Sequence, residues 1–430
     1  MKRSRGSVLV GLLWCLALLS VIVLGVLHTS RMDLLVVKNY GDRVQAHYLA
    51  LAGVERAKAL LYHDYLQRRQ SGKNHTGSLY DDAKDFEDVA FGRGHIRVFR
   101  TDGEGGRYGI SDEESRLNIN TAFAGELTNL SGLTPDIAAS ILAWRSGVGQ
   151  GANGGAEDDY YKGLQPPYVP RHGSFQTVRE LLLVKDVTRA DLLGGDVNQN
   201  DMMDSGAGQD GDSLPPSEGG WAAVLTAHSA EKDDDAFGNR RVNIKTADEN
   251  ALTGIDGISA DIARAIISYR GSNQFNSIAD LLDVTAPAGN GQDGQNNSGG
   301  QNMIDNQLFL RIADKVTTGD EEDVSGMINI NTAGEEVLAC LPGMDPYLSQ
   351  AIISYRRSNG YFNNVGELLN VSGMTRDIFR QMAPLITARS ETFRISCEGK
   401  ITSTGARQRI QVIVRILSHQ IATLAYREDL

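Results

Sequence analysis

The chain has 430 residues, enough for two or three domains and at least one sizeable core. It is 41% hydrophobic and 22% charged with a formal charge of −12, which argues against a broad phosphate-binding surface built from clustered Lys and Arg. Its three cysteines are too few for a disulfide framework: Cys15 lies in an apolar run, while Cys340 and Cys397 allow one bridge or, as the preferred reading, remain buried thiols.

Ser7 to Leu27 contains no charged residue and is long enough to cross a hydrocarbon core as a helix. Lys2, Arg3 and Arg5 precede it, which places the amino terminus in the cytoplasm and the rest outside. A cleaved signal peptide would have a shorter apolar region ending at small residues. Here a helix-compatible stretch continues from Thr29 to Gln70, with Val54, Ala57, Leu60 and Leu61 on one helical face. A basic leader ending in Gly6, followed at once by this apolar helix, resembles the leader of type IV prepilins. The resemblance implies that a membrane prepilin peptidase cuts between Gly6 and Ser7 and methylates Ser7, leaving the anchor in place. Most pilins carry Glu at the fifth mature position, where this chain has Gly11. That departure sets it apart from a repeating fibre subunit.

Gly94 to Arg100 alternates like a strand, Asp102 to Gly106 signals a turn, and Arg107 to Ile110 begins a second strand. An internal repeat follows. Its copies run from Asn118 to Arg145, Asn243 to Arg270 and Asn329 to Arg356, 28 residues each without a gap. Each reads as a helix, a tight turn and a second helix. Thr121, Thr246 and Thr332 are predicted N-caps, and Gly132, Gly257 and Gly343 fall where the helices reverse. Trailing halves begin at Phe175, Phe275 and Phe362.

This pattern resembles the helix-hairpin-helix family, including competence-type DNA receptors, which makes a membrane-tethered DNA receptor the alternative reading. Family members that bind phosphate flank the hairpin with a second glycine, where this chain has Thr134, Ser259 and Asp345. Asp136, Asp256, Asp261 and Asp345 add negative charge, so the hairpins read as packing modules and nucleic acid is not the expected partner. Arg145, Arg270 and Arg356 are either phosphate contacts or, preferably, helix-end residues that cap carbonyls or pair with acids.

Between the copies, Gly147 to Pro170 and Ala286 to Gln301 read as surface loops, and Asp233 to Asp235 as a solvated acidic run. Asp196, Asn198, Asn200 and Asp204 alternate like the first part of a calcium loop, with the carbonyl of Met202 as a further ligand. Asp201 and Ala207 depart from that pattern, and Asp210 or Asp212 could supply the missing carboxylate. A solvated loop is the other reading. No nucleophile elbow, P-loop, zinc motif or dinucleotide fingerprint is present, so the chain does not read as an enzyme.

Thr392 to Gly399 and Gln408 to Ile416 form a second alternating pair around Ser403 to Gly405. The expected fold is therefore α+β: a long N-terminal helix on a small antiparallel sheet, split by a large, mainly helical insertion. Its segments are a leader at 1–6, a helix at 7–70, a first sheet part at 71–117, an insertion at 118–389 and a second sheet part at 390–430. The repeats within the insertion occupy 118–193, 243–284 and 329–380. Leader, anchor, split sheet and insertion together resemble the minor pseudopilin K family of type II secretion machines. That resemblance implies a single-pass inner-membrane protein with its bulk in the periplasm, capping a pseudopilus tip during export of folded proteins. Implied partners are the other minor pseudopilins and the major pseudopilin through the N-terminal helix, prepilin peptidase, and secreted cargo. A structural Ca2+ is also implied.

Overall fold

The computed structural model describes residues 7–73, 82–100, 108–146, 154–195, 220–286 and 302–428. One helix runs unbroken over Ser7–Ser71, about 98 Å at 1.5 Å per residue. Its two halves differ. Residues 8–41 are exposed, whereas Ala46, Ala50, Val54, Ala57 and Leu61 are buried along one face. Polar residues interrupt the opposite face at Glu55 and Lys58, so only one stripe can pack on a sheet.

That sheet is antiparallel, in the order 89–91, 94–99, 392–401, 407–417, 420–427, with the short strand 111–112 also beside 392–401. The predicted split is therefore real: strand 94–99 from before the insertion pairs with strand 392–401 from after it, Val98 opposite Cys397. One detail differs. The first hairpin joins 89–91 to 94–99, and the predicted strand at 107–110 is reduced among the described residues to a bridge between Phe99 and Tyr108 before the 111–112 pairing. The final strand, 420–427, was not expected from the sequence. Its apolar residues do not alternate cleanly, and a bulge skips Leu424 in its pairing.

The helix approaches the sheet closely because small residues line the contact. A Cβ on Gly399 would lie 2.2 Å from the Ala46 carbonyl oxygen, and one on Gly53 2.3 Å from Cys397 Sγ. Cys397 belongs to this core and Cys340 to the core of the insertion, and both are free thiols.

The insertion consists of three units of one design. Each opens with a two-residue strand (117–118, 242–243, 328–329) and ends with another (225–226, 316–317, 386–387) that pairs with it in parallel. Two helix pairs lie between these strands in every unit. The first pairs are 124–128 with 135–145, 249–253 with 260–272, and 335–338 with 346–359. The second pairs, not foreseen, couple 3-10 helices at 178–183, 278–283 and 365–370 with helices at 189–193, 306–312 and 376–382. One apolar cluster unites all three units. Within the expected loop 147–170, residues 154–162 form a helix whose Tyr161 packs edge-on to Trp144 at 5.4 Å.

Candidate functional site

The sites to weigh are the hairpin turns, the N-terminal helix, the acidic loop, and the junction between sheet and insertion. The turns follow from local sequence. The first Asn of each repeat accepts from the N–H two residues on (Asn118 from Asn120, Asn243 from Lys245, Asn329 from Asn331), folding the opening loop on itself. Its carbonyl also takes the N–H of Thr121, Thr246 or Thr332 at 3.2 Å. These threonines are thus spent in a turn and are not the expected N-caps, which are Phe123, Asp248 and Gly334. Gly132, Gly257 and Gly343 do reverse the helices at φ of 78°, 99° and 74°.

The positions that replace a second glycine have a specific job. Thr134, Ser259 and Asp345 are the N-caps of the second helices, accepting the N–H of Ile137, Ile262 and Leu348 at 3.4, 3.3 and 2.7 Å. Helix-terminal amides that could face a phosphate are in this way partly satisfied within the chain. In the first turn the Glu336 carboxylate, from the third unit, accepts from the backbone of Ser131. Gly257 packs against Leu308, and Gly343 against Ile378, both from the second helix pair of the same unit. Asp136, Asp256, Asp261 and Asp345 stand exposed around these turns.

The three repeat arginines turn inward. Arg145 donates to the carbonyls of Ile119 and Ala122, Arg270 to those of Ile244 and Ala247, and Arg356 to that of Ile330 at 2.9 Å. They cap carbonyls, as expected of helix-end residues, but the carbonyls belong to the opening loop of their own unit. The second Asn completes this clasp. Asn331 donates to the carbonyls of Phe362 and Ala388 and accepts from Phe362 N–H at 2.7 Å; Asn120 does the same with Phe175 and Ala227. Behind each clasp an aromatic pair packs: Trp144 with Phe175, Tyr269 with Phe275, Tyr355 with Phe362.

The second helix pairs carry the same turn signal as the first. Val371-Ser-Gly373-Met-Thr375 repeats the form of Leu341-Pro-Gly343-Met-Asp345, with Gly373 at φ 90° and Thr375 capping Ile378. Val184-Lys-Asp186-Val-Thr188 is the counterpart in the first unit, Asp186 at φ 64° standing where Gly would be.

Gly6 lies outside the described residues, and Ser7 is the first residue of the long helix. That helix contains a stretch long and apolar enough to cross a membrane. Beyond it the exposed face stays apolar at Leu34, Val37, Tyr40 and Tyr48.

Asp196, Asn198, Asn200, Met202, Asp204, Asp210 and Asp212 also lie outside the described residues. The described chain on either side of them meets: a Cβ on Gly220 would fall 2.6 Å from Gly194 N. Among the described residues no group of three or more His, Cys, Asp or Glu side chains is placed to hold a metal ion.

The junction buries several charged groups. The expected solvated run proves structural instead: Asp233 is buried against Arg241 at 3.0 Å, Asp234 pairs with Arg69, and Asp235 accepts from Phe237 and Asn239 N–H. Glu113 is fully buried. Burial opposes its charge, but Arg394 (2.6 Å) and Arg116 outweigh this and hold its pKa below the usual carboxylate range. Glu231 is pushed the other way, to about 7, because burial outweighs Arg241, Arg389 and the Thr387 hydroxyl.

These features define a class first: a helix-hairpin-helix protein with a candidate membrane span and a split sheet. Comparison with known proteins agrees. Residues 238–286 and 324–387 match the helix-hairpin-helix motif, and residues 110–193 match the family model of type II secretion system protein K. The chain is protein K-like through that segment of the insertion. It is also similar to ComE operon protein 1 of Bacillus subtilis, 36% identical over 63 residues, covering 15% of this chain and 31% of that protein. Endonuclease/exonuclease/phosphatase family domain-containing protein 1 of Rattus norvegicus is 26% identical over 151 residues, covering 31% of this chain and 26% of that protein. The chain thus matches less than a third of either relative's length. Among solved structures, the GspK-GspI-GspJ complex of the enterotoxigenic Escherichia coli type 2 secretion system gives a TM-score of 0.41. That match has 11% identity over 91% of this chain and 98% of that chain.

Proposed function

We propose that this chain is a minor pseudopilin of a type II secretion system, anchored in the inner membrane and seated at the tip of a short pseudopilus. The observation that carries the reading is a protein K-like insertion spliced into a sheet from which a long, apolar, exposed helix projects. That helix packs against helices of the other minor pseudopilins and the major pseudopilin. A body this broad cannot stack repeatedly, and Gly11 offers no carboxylate to the subunit beneath, so the chain caps rather than extends the fibre. Prepilin peptidase cuts after Gly6 and methylates Ser7, and the role is structural rather than catalytic. Mass spectrometry of the membrane-extracted amino terminus tests processing, with a methylated Ser7 expected and an intact Met1 against it. Deletion of the gene is expected to abolish export of folded cargo; unimpaired export refutes the role.

The acidic loop at residues 196–212 holds a structural Ca2+ through Asp196, Asn198, Asn200, Asp204 and the Met202 carbonyl, with Asp210 or Asp212 completing it. The touching backbones of Gly194 and Gly220 support this reading, because an ion would close a loop whose ends are already together. Calcium should raise the unfolding temperature and chelator should lower it; Asp196→Ala should abolish the difference.

The helix-hairpin-helix motif at residues 238–286 and 324–387 favours a second reading, a membrane-tethered DNA receptor. Tight, salt-sensitive binding of duplex DNA at moderate salt would support it over the first.

A further inference from the structure

The residues that lead from the sheet into the insertion, Ser111 to Arg116, are all buried. Within them Asp112 and Glu114 contact each other through their carboxyl groups. Two ionised carboxylates cannot hydrogen-bond, since each only accepts; such a contact requires one proton between them.

The surroundings decide which group carries it. Asp112 Oδ2 accepts from Asn329 Nδ2 at 3.0 Å and from the hydroxyls of Thr332 and Ser390 at 2.5 Å, while Oδ1 accepts from Glu114 N–H at 2.9 Å. Burial raises the Asp112 pKa, but these four donors oppose that rise and favour it as the anion of the two. Among the described residues the Glu114 carboxyl receives the Thr392 N–H, at 3.2 Å from each oxygen. It also faces the negative field of Glu231.

The neighbouring cations each hold another carboxylate. From the return strand, Arg394 grips Glu113. From the same segment, Arg116 acts on Glu113 and donates to the Ala222 carbonyl. From the next strand, Arg415 binds Asp323 at 2.6 Å, lies 3.7 Å from Glu391, and also feels the charge of Glu114 at longer range. The partners of the pair come from different parts of the fold: the third unit through Asn329 and Thr332, the approach to the return strand through Ser390, and that strand through Thr392.

We propose that Glu114 is a neutral acid at physiological pH and donates its proton to Asp112, forming a lock that fastens the third repeat and the return strand to the segment leading into the insertion and loosens as pH rises. Burial and Asp112 both drive the Glu114 pKa well above the ordinary glutamate value, in accord with this assignment. The proton passes to solvent when the lock opens, leaving two adjacent buried anions.

The test uses the full chain in detergent. Thermal unfolding of wild type and Glu114→Gln is compared between pH 5.5 and 8.5; Gln keeps a donor towards Asp112 at every pH. Wild type should lose several degrees more than the variant across this range. Infrared difference spectra with glutamate labelled at the side-chain carboxyl should show a protonated carbonyl band at neutral pH that Glu114→Gln lacks. Parallel pH profiles, or absence of that band from folded wild type, would overturn the proposal. If the variant does not fold, the band is titrated in Glu231→Gln instead: a protonated band that persists at neutral pH supports the proposal, and its absence overturns it.

Discussion

Arg69, in the last turn of the long helix, donates from Nη2 to Asp234 Oδ2 at 3.0 Å, tying the helix to the insertion across 165 positions of sequence. The same guanidinium lies 4.7 Å above the Tyr65 ring, and Phe237 packs on Gly72 just beyond. The loop around Asp234 therefore clamps the helix end and fixes how the insertion is carried relative to the anchor. Basic residues suit the end of a helix, where carbonyl dipoles leave a partial negative charge.

Both members of that pair are only partly exposed, so their attraction should be measurable. A double-mutant cycle with Arg69→Ala and Asp234→Ala is expected to give a coupling of about 1 kcal/mol in chemical denaturation. A coupling near zero would mean that Phe237 packing alone holds the clamp.

The second Asn of the repeat makes a sharper prediction because one unit lacks it. Asn331→Ala strips the buried Phe362 N–H and two carbonyls of their partner and should cost about 1–3 kcal/mol. Lys245 occupies the same place in the middle unit and is exposed, so Lys245→Ala should change stability by less than about 0.5 kcal/mol. Urea unfolding of the two variants checks the contrast.

Where helix meets sheet, the limit is space. Gly399→Val would drive a side chain into the Ala46 carbonyl and the Ala50 N–H, because the obstacles are backbone rather than a movable side chain. Destabilisation of about 1–3 kcal/mol or more is expected, read as a lower denaturation midpoint. Gly405→Ala tests only backbone strain at a φ of 69°, since nothing lies near its added Cβ, and should cost less.

Burial also sets a pH dependence. Glu231 is raised from an ordinary value of 4.5 to about 7, and Glu391 is raised as well, by burial first in both cases. Groups shifted upward contribute stability fully below pH 4.5 and lose it as pH climbs through the shifted value. Asp88, held down chiefly by its hydrogen bonds to Arg97, and Glu113 act only in acid, so they do not mask this window. Unfolding temperature should fall between pH 5 and 8, and Glu231→Gln should flatten that fall. An unchanged slope would exclude Glu231 as a source.

Periodicity by itself determined the long helix, the split sheet and the three repeats, because a stripe of apolar residues at helical or strand spacing has few ways to be buried. It also determined the hairpin turns, since a left-handed residue between two helices favours Gly. The second hairpin of each unit was written in the same grammar at Val371 to Thr375, yet was lost behind the more regular first copy. Only the tertiary structure decided what long-range partners would do. Thr332 was spent on Asp112 and a turn rather than on a cap, and Asp233 and Asp234 were buried against arginines. Glu336 was set on the turn of another unit. None of these follows from spacing: a buried polar group takes its role from whichever donors the folded chain brings within about 3 Å, and those come from distant sequence.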